Sequence, residues 1–363
     1  SRVDDLEGTI DGLSKLIEVL PKDRKRFRRL LEESKTFESL PIRSRLSEEE
    51  VARFAANRYL FPGVEVKARL FRHYPEGSVG AHAIGYISRI NKRDLEIIEE
   101  NEQTNNYKGT DHIGKSGVEQ KYEFQLHGET GYEQVEIDAG GRAVRSLSRS
   151  APVQGNNLTL TLDIKLQEMA EKAFGDRRGA LVAIEPATGG ILALVSVPTF
   201  DPNLFIDGIR SDDWDQLNNS PDKPLLNRAL NGAYPPGSTF KPFMALAALE
   251  TGKRTPGQAI SDPGVFNFGG HQFRDDKKGG HGSVDMHKSI VVSCDTYYYV
   301  LANDMGIDGI ARFMGQLGFG QRTGVDIEGE SPGILPSPEW KKRRFRRPEQ
   351  QKWFAGETIS IGI

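Results

Sequence analysis

Two residue pairs have the types and spacing for serine acyl-transfer chemistry. Ser238 and Lys241 lie three apart in Tyr234-Pro235-Pro236-Gly237-Ser238-Thr239-Phe240-Lys241-Pro242, so at the start of a helix they share one face. A rigid Pro-Pro-Gly turn leads into the apolar run Phe243 to Leu249. Pro242 is tolerated there because the N–H groups of a first helical turn lack intrahelical partners. The positive end of a helix dipole disfavours an ammonium and favours an alkoxide, and burial acts on a lysine in the same sense. A neutral Lys241 could then take the proton of Ser238 and make it a nucleophile. Ser-x-x-Lys also arises by chance. The second match, Ser220 to Lys223, sits in a polar loop with no helix after it and is set aside.

The second pair is Ser293 and Asp295, on either side of Cys294. On an extended loop, alternation turns both toward one cleft and Cys294 away from it. A hydroxyl and a carboxylate beside a Ser/Lys pair is the layout of an acyl-transfer site. Ser211-Asp212-Asp213 has a similar pattern but precedes the nucleophile among loop residues.

A third constellation has metal-ligand character. Asp262, Asp275, His281 and the lone cysteine, Cys294, are spaced 13, 6 and 13 apart. A thiolate, an imidazole and two carboxylates form a four-coordinate zinc set. The turn-rich stretch from Gly269-Gly270 to Gly279-Gly280 could fold back to gather them, and Asp276 rivals Asp275. Spacing alone favours the plainer reading, a buried structural cysteine with surface carboxylates. His271 and His287 are expected to lie outside any site.

The chain that must position these groups has 363 residues, room for two or three domains of about 150 residues each. It has 48 Lys and Arg against 51 Asp and Glu, a net charge of -3 that gives no global attraction to nucleic acid or anionic membranes. One cysteine excludes an intramolecular disulfide framework. No run approaches the roughly 20 apolar residues of a membrane-spanning helix. The opening Ser1-Arg2-Val3, with neither Met nor a signal-peptide pattern, reads as a piece of a longer chain.

Helical spacing runs from Asp4 to Leu20, then a basic helical stretch from Lys22 to Leu31. Ser47 to Glu50 is a capping box, and Val64 to Phe71 alternates like a strand. Gly114 to Gly131 reads as a glycine-bounded helix, followed by short strands at Gln134 to Ile137 and Ala143 to Leu147. A polar linker, Ser150 to Asn157, suggests a domain boundary near 152. Beyond it come alternation at Leu158 to Leu162, a helix capped by Asp163, and a hairpin of Ala180 to Ile184 with Ile191 to Val197. The run Lys341-Lys342-Arg343-Arg344-Phe345-Arg346-Arg347 reads as a solvated basic face, with contact to anionic lipid headgroups or an acidic partner as the alternative. Nothing else in the chain supports nucleic-acid binding.

On these motifs the chain resembles the class B, monofunctional penicillin-binding proteins, most closely their rod-shape branch. The resemblance rests on the Ser238/Lys241 and Ser293/Asp295 elements of the penicillin-recognising signature. It extends over Leu160 to Gln167, Ala187 to Gly190, Phe200 to Asn203, Asp304 to Ile307 and Gly356 to Ile359, with Gly114 to Gly131 resembling the non-catalytic pedestal. Asp295 stands where most relatives have Asn, and a carboxylate cannot donate a hydrogen bond unless protonated. No Lys-Thr-Gly follows before Ile363, and the family's membrane anchor and first pedestal strands are not in the sequence. We read this as a truncated chain.

The resemblance implies an α+β architecture: a pedestal over 1–152, of the dimerisation type, and a transpeptidase domain over 153–363 whose antiparallel sheet is sandwiched by helices. It implies attack by Ser238 on the penultimate D-Ala of a peptidoglycan stem peptide, with Lys241 as base, Ser293 relaying protons and β-lactams acylating the same serine. It implies a single-pass inner-membrane protein with this part in the periplasm, working beside a SEDS-family glycosyltransferase and other elongation proteins. Zinc-binding members of that branch carry the same four ligands, and Asp262, Asp275, His281 and Cys294 match them position by position, as a closed structural site. The rival readings are a D,D-carboxypeptidase or β-lactamase of the same fold, and a non-catalytic scaffold that binds partners through the pedestal.

Overall fold

The structure is a computed structural model that describes residues 3, 5–33, 40–68, 71–137 and 143–363. The chain packs as two compact units interleaved in sequence: Ser1–His73, Asn91–Thr110 and Phe124–Leu158 form one, and Tyr74–Ile90, Asp111–Glu123 and Thr159–Ile363 the other. The composition change near 152 suggested one cut. Ile87–Arg89 pairs antiparallel with His112–Gly114, and both segments fall in the second unit. No helix among the described residues is long and apolar enough to cross a membrane.

The first unit opens with helices Leu6–Leu13, Pro21–Glu33 and Glu48–Asn57. Ser47 and Glu50 form the expected capping box. Leu13, Phe54 and Phe61 make a small core beneath them. The alternation at Val64 to Phe71 forms no strand among the described residues, and 69 and 70 lie outside them. Strands Tyr132–Ile137 and Ala143–Ser150 pair antiparallel, and residues 138–142 between them lie outside the described residues.

The second unit holds the larger core, in which Met244, Ala247, Ala248, Tyr298, Leu301, Ala302, Ile310 and Met314 are fully buried. Its hairpin, Gly179–Ile184 with Ile191–Val197, falls where the two apolar runs predicted it. The helix Ile164–Phe174 is capped by Asp163 and packs on the inner strand, where Gln167 bonds the backbone of Leu194 through both its amide atoms. Leu158 to Leu162 is extended chain rather than a ladder strand. It is tied to the hairpin by Thr161 Oγ1 and Asp163 N, which donate to Ile191 and Leu192 carbonyls. Gly114 to Gly131, along which the chain passes from the second unit to the first at Glu123, is two short helices, Gly117–Lys121 and Glu123–His127, broken at Tyr122. All paired strands among the described residues are antiparallel.

Candidate active site

The Pro235-Pro236 turn delivers the chain into a short 3-10 helix, Gly237–Phe240, followed directly by the helix Lys241–Glu250. Ser238 is exposed on the 3-10 turn, whereas Lys241, first residue of the α-helix, is 1% exposed. Apolar residues on the inner face, Met244, Ala247 and Ala248, fix the rotation of the helix and so carry the lysine inward.

Ser293 and Asp295 come from a helix start, not from an extended loop. Ser293 has a φ of 54°, a left-handed conformation that costs a serine about 1–3 kcal/mol. Cys294 is then the N-cap of the long helix Asp295–Gln316. The left-handed residue achieves what alternation was expected to do. Ser293 and Asp295 meet Lys241, and Cys294 turns to the opposite side, fully buried. The long helix bends at Gly306, whose φ of 71° with ψ of 158° is a combination open essentially to glycine alone.

Lys241 Nζ donates to the Ser293 carbonyl at 2.6 Å, to Ser293 Oγ at 3.0 Å and to Asp295 Oδ1 at 2.5 Å. Ser293 Oγ lies 2.9 Å from Ser238 Oγ. Lysine therefore connects to the candidate nucleophile through the second serine. Three acceptors surround the three N–H donors of an ammonium, so the resting contacts are those of an ion pair. The helix dipole and burial alone argued for a neutral amine. The ring of Tyr298 lies 5.6 Å from Nζ, a cation–π distance. Tyr298 was missed in the sequence. The signal available was its place three residues after Asp295, on the same helical face. Its hydroxyl meets Ser289 Oγ at 3.1 Å, and burial pushes its titration up to about 12.

On the other side of Cys294 the four candidate metal ligands come together, with one donor atom from each within 4.8 Å of all the others. Antiparallel pairing of Ile260–Asp262 with Gly282–Val284 sets His281 beside Asp262, and His281 Nδ1 is 2.9 Å from Asp262 Oδ2. Gly280 makes the approach possible, because a Cβ there would lie 2.1 Å from the Asp262 carbonyl oxygen. The hairpin Val265–Phe268 with His271–Arg274 leads into Asp275, whose Oδ1 is 3.4 Å from His281 Nδ1. Cys294 Sγ lies 3.4 Å from Asp262 Oδ2. A zinc tetrahedron with bonds of about 2.0–2.3 Å has edges of about 3.3–3.8 Å; this donor set fits the ion in chemistry, and the two 3.4 Å separations fall in that range.

Burial pushes the Asp262 carboxyl up, but donors from Gly264 and His281 outweigh it and hold the group at about 2. Burial likewise opposes, and the Thr296 and Lys277 N–H groups prevail, at Asp275, which is held low. Burial pushes the Cys294 thiol up. Asp276 is exposed, and the neighbouring Asp275 raises it. His271 and His287 are exposed. Asp275 Oδ2 also accepts from Thr296 N at 2.9 Å, and Cys294 Sγ from Tyr297 N at 3.4 Å. The cluster thus caps the helix that presents Asp295.

Known proteins are similar to this chain along its length. The family model "Penicillin-binding Protein dimerisation domain" matches residues 1–160 and "Penicillin binding protein transpeptidase domain" residues 179–363. Peptidoglycan D,D-transpeptidase MrdA of Acinetobacter baumannii is 47% identical over 99% of this chain and 53% of its own length. MrdA of Escherichia coli K12 is 45% identical over 100% of this chain and 57% of its own length. The chain thus spans little more than half the length of these relatives. The solved complex of penicillin-binding protein PBP2 with MreC from Helicobacter pylori superposes with a TM-score of 0.81, at 31% identity over 99% of this chain and 66% of that one. With a transpeptidase-domain match across the unit that gathers Ser238, Lys241, Ser293 and Asp295, the chain belongs to the penicillin-binding protein family.

Proposed function

We propose that this chain carries the acylation site of a peptidoglycan D,D-transpeptidase, and that Ser238 is its nucleophile. The observation that carries this reading is the continuous path Asp295–Lys241–Ser293–Ser238, with contacts of 2.5, 3.0 and 2.9 Å. Transfer of one ammonium proton to Asp295 leaves Lys241 neutral. Ser238 then gives its proton to Ser293 Oγ, and Ser293 gives its own to Lys241. The hydroxyls can reverse donor and acceptor roles by rotation. Ser238 Oγ bonds the penultimate D-Ala carbonyl of a stem peptide, with the Ser238 N–H as half of the oxyanion hole. The C–N bond to the last D-Ala breaks, and that amine takes a proton back through Ser293. An amine of a neighbouring stem then attacks the ester, forms the cross-link and frees Ser238. A β-lactam carbonyl would be attacked in the same way.

The test is covalent labelling by fluorescent penicillin. The unsubstituted chain should label and Ser238→Ala should not; undiminished labelling of the variant would falsify the assignment.

Asp262, Asp275, His281 and Cys294 hold one structural zinc ion in this reading. Support comes from the donor set and from its interatomic distances. The ion would neutralise the two carboxylates and brace the Cys294 N-cap, holding Ser293 in its left-handed turn. Elemental analysis should find about one zinc per chain, and Cys294→Ser should lose it.

The relatives' names support a place in wall synthesis. The whole protein would be anchored in the inner membrane, with this part in the periplasm. There it would work beside a SEDS-family glycosyltransferase. The Helicobacter pylori complex makes an MreC-type protein a second candidate partner.

A further inference from the structure

Between Glu339 and Glu349 the sequence has six cations and no acid. Only one of the six is internal. Lys341, on the helix Pro338–Arg344, has a side chain 11% exposed. It donates to both carboxylate oxygens of Glu357, at 2.6 and 2.7 Å, and to the Lys352 carbonyl at 2.8 Å. Its Nζ also lies 5.8 Å from the Trp353 ring and 5.4 Å from the Phe354 ring. Lys342, Arg343, Arg344, Arg346 and Arg347 are exposed, and among the described residues none of them is in an ion pair. The segment they occupy is held firmly. Trp340 packs edge-on against Phe345 with ring centroids 6.3 Å apart, the Arg344 guanidinium lies 5.9 Å from the Phe345 ring, and Gln351 Nε2 donates to the Phe345 carbonyl.

We propose that these five cations form a ledge that binds the free carboxylates of a peptidoglycan strand's stem peptides, outside the cleft where Ser238 reacts. The inference rests on the proposed substrate and adds a second contact to it. Charge complementarity is the first argument. In a chain of net charge -3, this ordered segment concentrates positive charge, and the planar guanidinium forks of four arginines match carboxylates in pairs of hydrogen bonds. The second argument is placement. Glu357, which anchors the basic helix, belongs to the helix Ala355–Ser360. Just after it, Gly362 lies so close to the long helix that a Cβ would be 2.5 Å from the Tyr298 carbonyl oxygen. Tyr298 is one turn from Asp295. The ledge is therefore built onto the same end of the long helix as the acylation site. Lys341 fixes the ledge and the other five face outward. A strand whose reacting peptide enters the cleft would lay neighbouring stems along them.

The experiment uses the full chain and three probes: soluble uncross-linked peptidoglycan strands, the same strands with their carboxylates amidated, and vesicles of phosphatidylglycerol in phosphatidylcholine. The ledge predicts that R343E/R344E/R346E weakens strand binding by about tenfold or more, and that rising salt weakens the unsubstituted chain's binding. Amidated strands should bind the unsubstituted chain no better than native strands bind that variant. R343K/R344K/R346K should bind strands more weakly than the unsubstituted chain and more tightly than the charge reversal, because it keeps the charge and loses the paired hydrogen bonds of the guanidinium forks. Equal strand affinity after charge reversal overturns the proposal, as does undiminished binding of amidated strands. If charge reversal lowers vesicle binding and leaves strand binding intact, a lipid surface is the occupant and the proposal is again overturned. Penicillin labelling of the unsubstituted chain is read separately. Its absence counts against Ser238 as nucleophile, whereas the ledge stands or falls on strand affinity.

Discussion

The buried carboxylates of the first unit and the buried lysine of the second are held in different ways. In the first, Glu50 is 7% exposed and accepts the backbone N–H groups of Glu18 and Ser47, each at 2.9 Å, while Arg43 stands 4.0 Å away. Asp23, 5% exposed, accepts the N–H of Leu20 at 3.1 Å and lies within 3.6 Å of Arg26 and Arg43. Backbone amides do not give up their protons, so these carboxylates are fixed braces at chain turns. In the second unit, Lys241 is met by a hydroxyl, a carboxylate and one carbonyl. Two of its three neighbours can themselves gain or lose a proton. Of these arrangements, only the one around Lys241 can move a proton.

The largest test of this contrast is Lys241→Met. Methionine fills a similar volume within a cluster of Phe240, Met244 and Tyr298, and Asp295, with a side chain 16% exposed, keeps contact with water. Penicillin acylation should fall by about 10²–10⁴, the range for loss of a general acid or base. Thermal unfolding should move by only a few degrees. A large loss of stability with acylation kept would make Lys241 a brace like those of the first unit.

The legible part of this site was the part with local causes. Ser238 and Lys241 are three residues apart, and helical geometry sets their relation once the Pro-Pro-Gly turn and the apolar run are read. The hairpin of Gly179–Ile184 and Ile191–Val197 was legible for the same reason. The 293–295 segment was legible in outcome and not in cause. Alternation on an extended loop and a left-handed residue before a helix both turn Ser293 and Asp295 away from Cys294. Nothing in a lone serine announces a φ of 54°, because such a conformation is imposed by surrounding packing. The Lys241–Asp295 contact spans 54 positions, so the effect of the carboxylate on the lysine could not enter an argument built on dipole and burial. The interleaved units escaped because three-residue pairings such as Ile87–Arg89 with His112–Gly114 leave little periodic pattern.

A middle-sized effect sharpens the comparison from the side of a base. His82, in the second unit, is 7% exposed and packs edge-on against Phe200 with centroids 5.1 Å apart. Burial lowers it from 6.5 to about 4, and the nearby Arg228 acts in the same direction. Because the folded state holds this base neutral, its contribution to stability is present above about pH 6.5 and is lost as pH falls through about 4. Integrated over that window, the loss is up to about 3 kcal/mol. Unfolding measured from pH 7 to pH 4 should show this dependence, and His82→Leu should flatten it. An unchanged slope in the variant would place the acid sensitivity on other groups.

The smallest effect is expected where the charge is a brace. Glu50→Ala removes the acceptor for two backbone N–H groups and breaks the capping box at Ser47. Capping losses and unsatisfied donors of this kind cost about 1–2 kcal/mol. Backbone N–H groups of Glu18 and Ser47 hold the Glu50 carboxyl below its ordinary value, so the stabilisation it gives is present above that ordinary value and is lost in acid. Denaturant unfolding of Glu50→Ala should therefore show its deficit at neutral pH and converge with the unsubstituted chain as the medium becomes acid. Acylation at Ser238 should be unaffected. If it fell in step with stability, the two ways of burying charge would not be separate in this molecule.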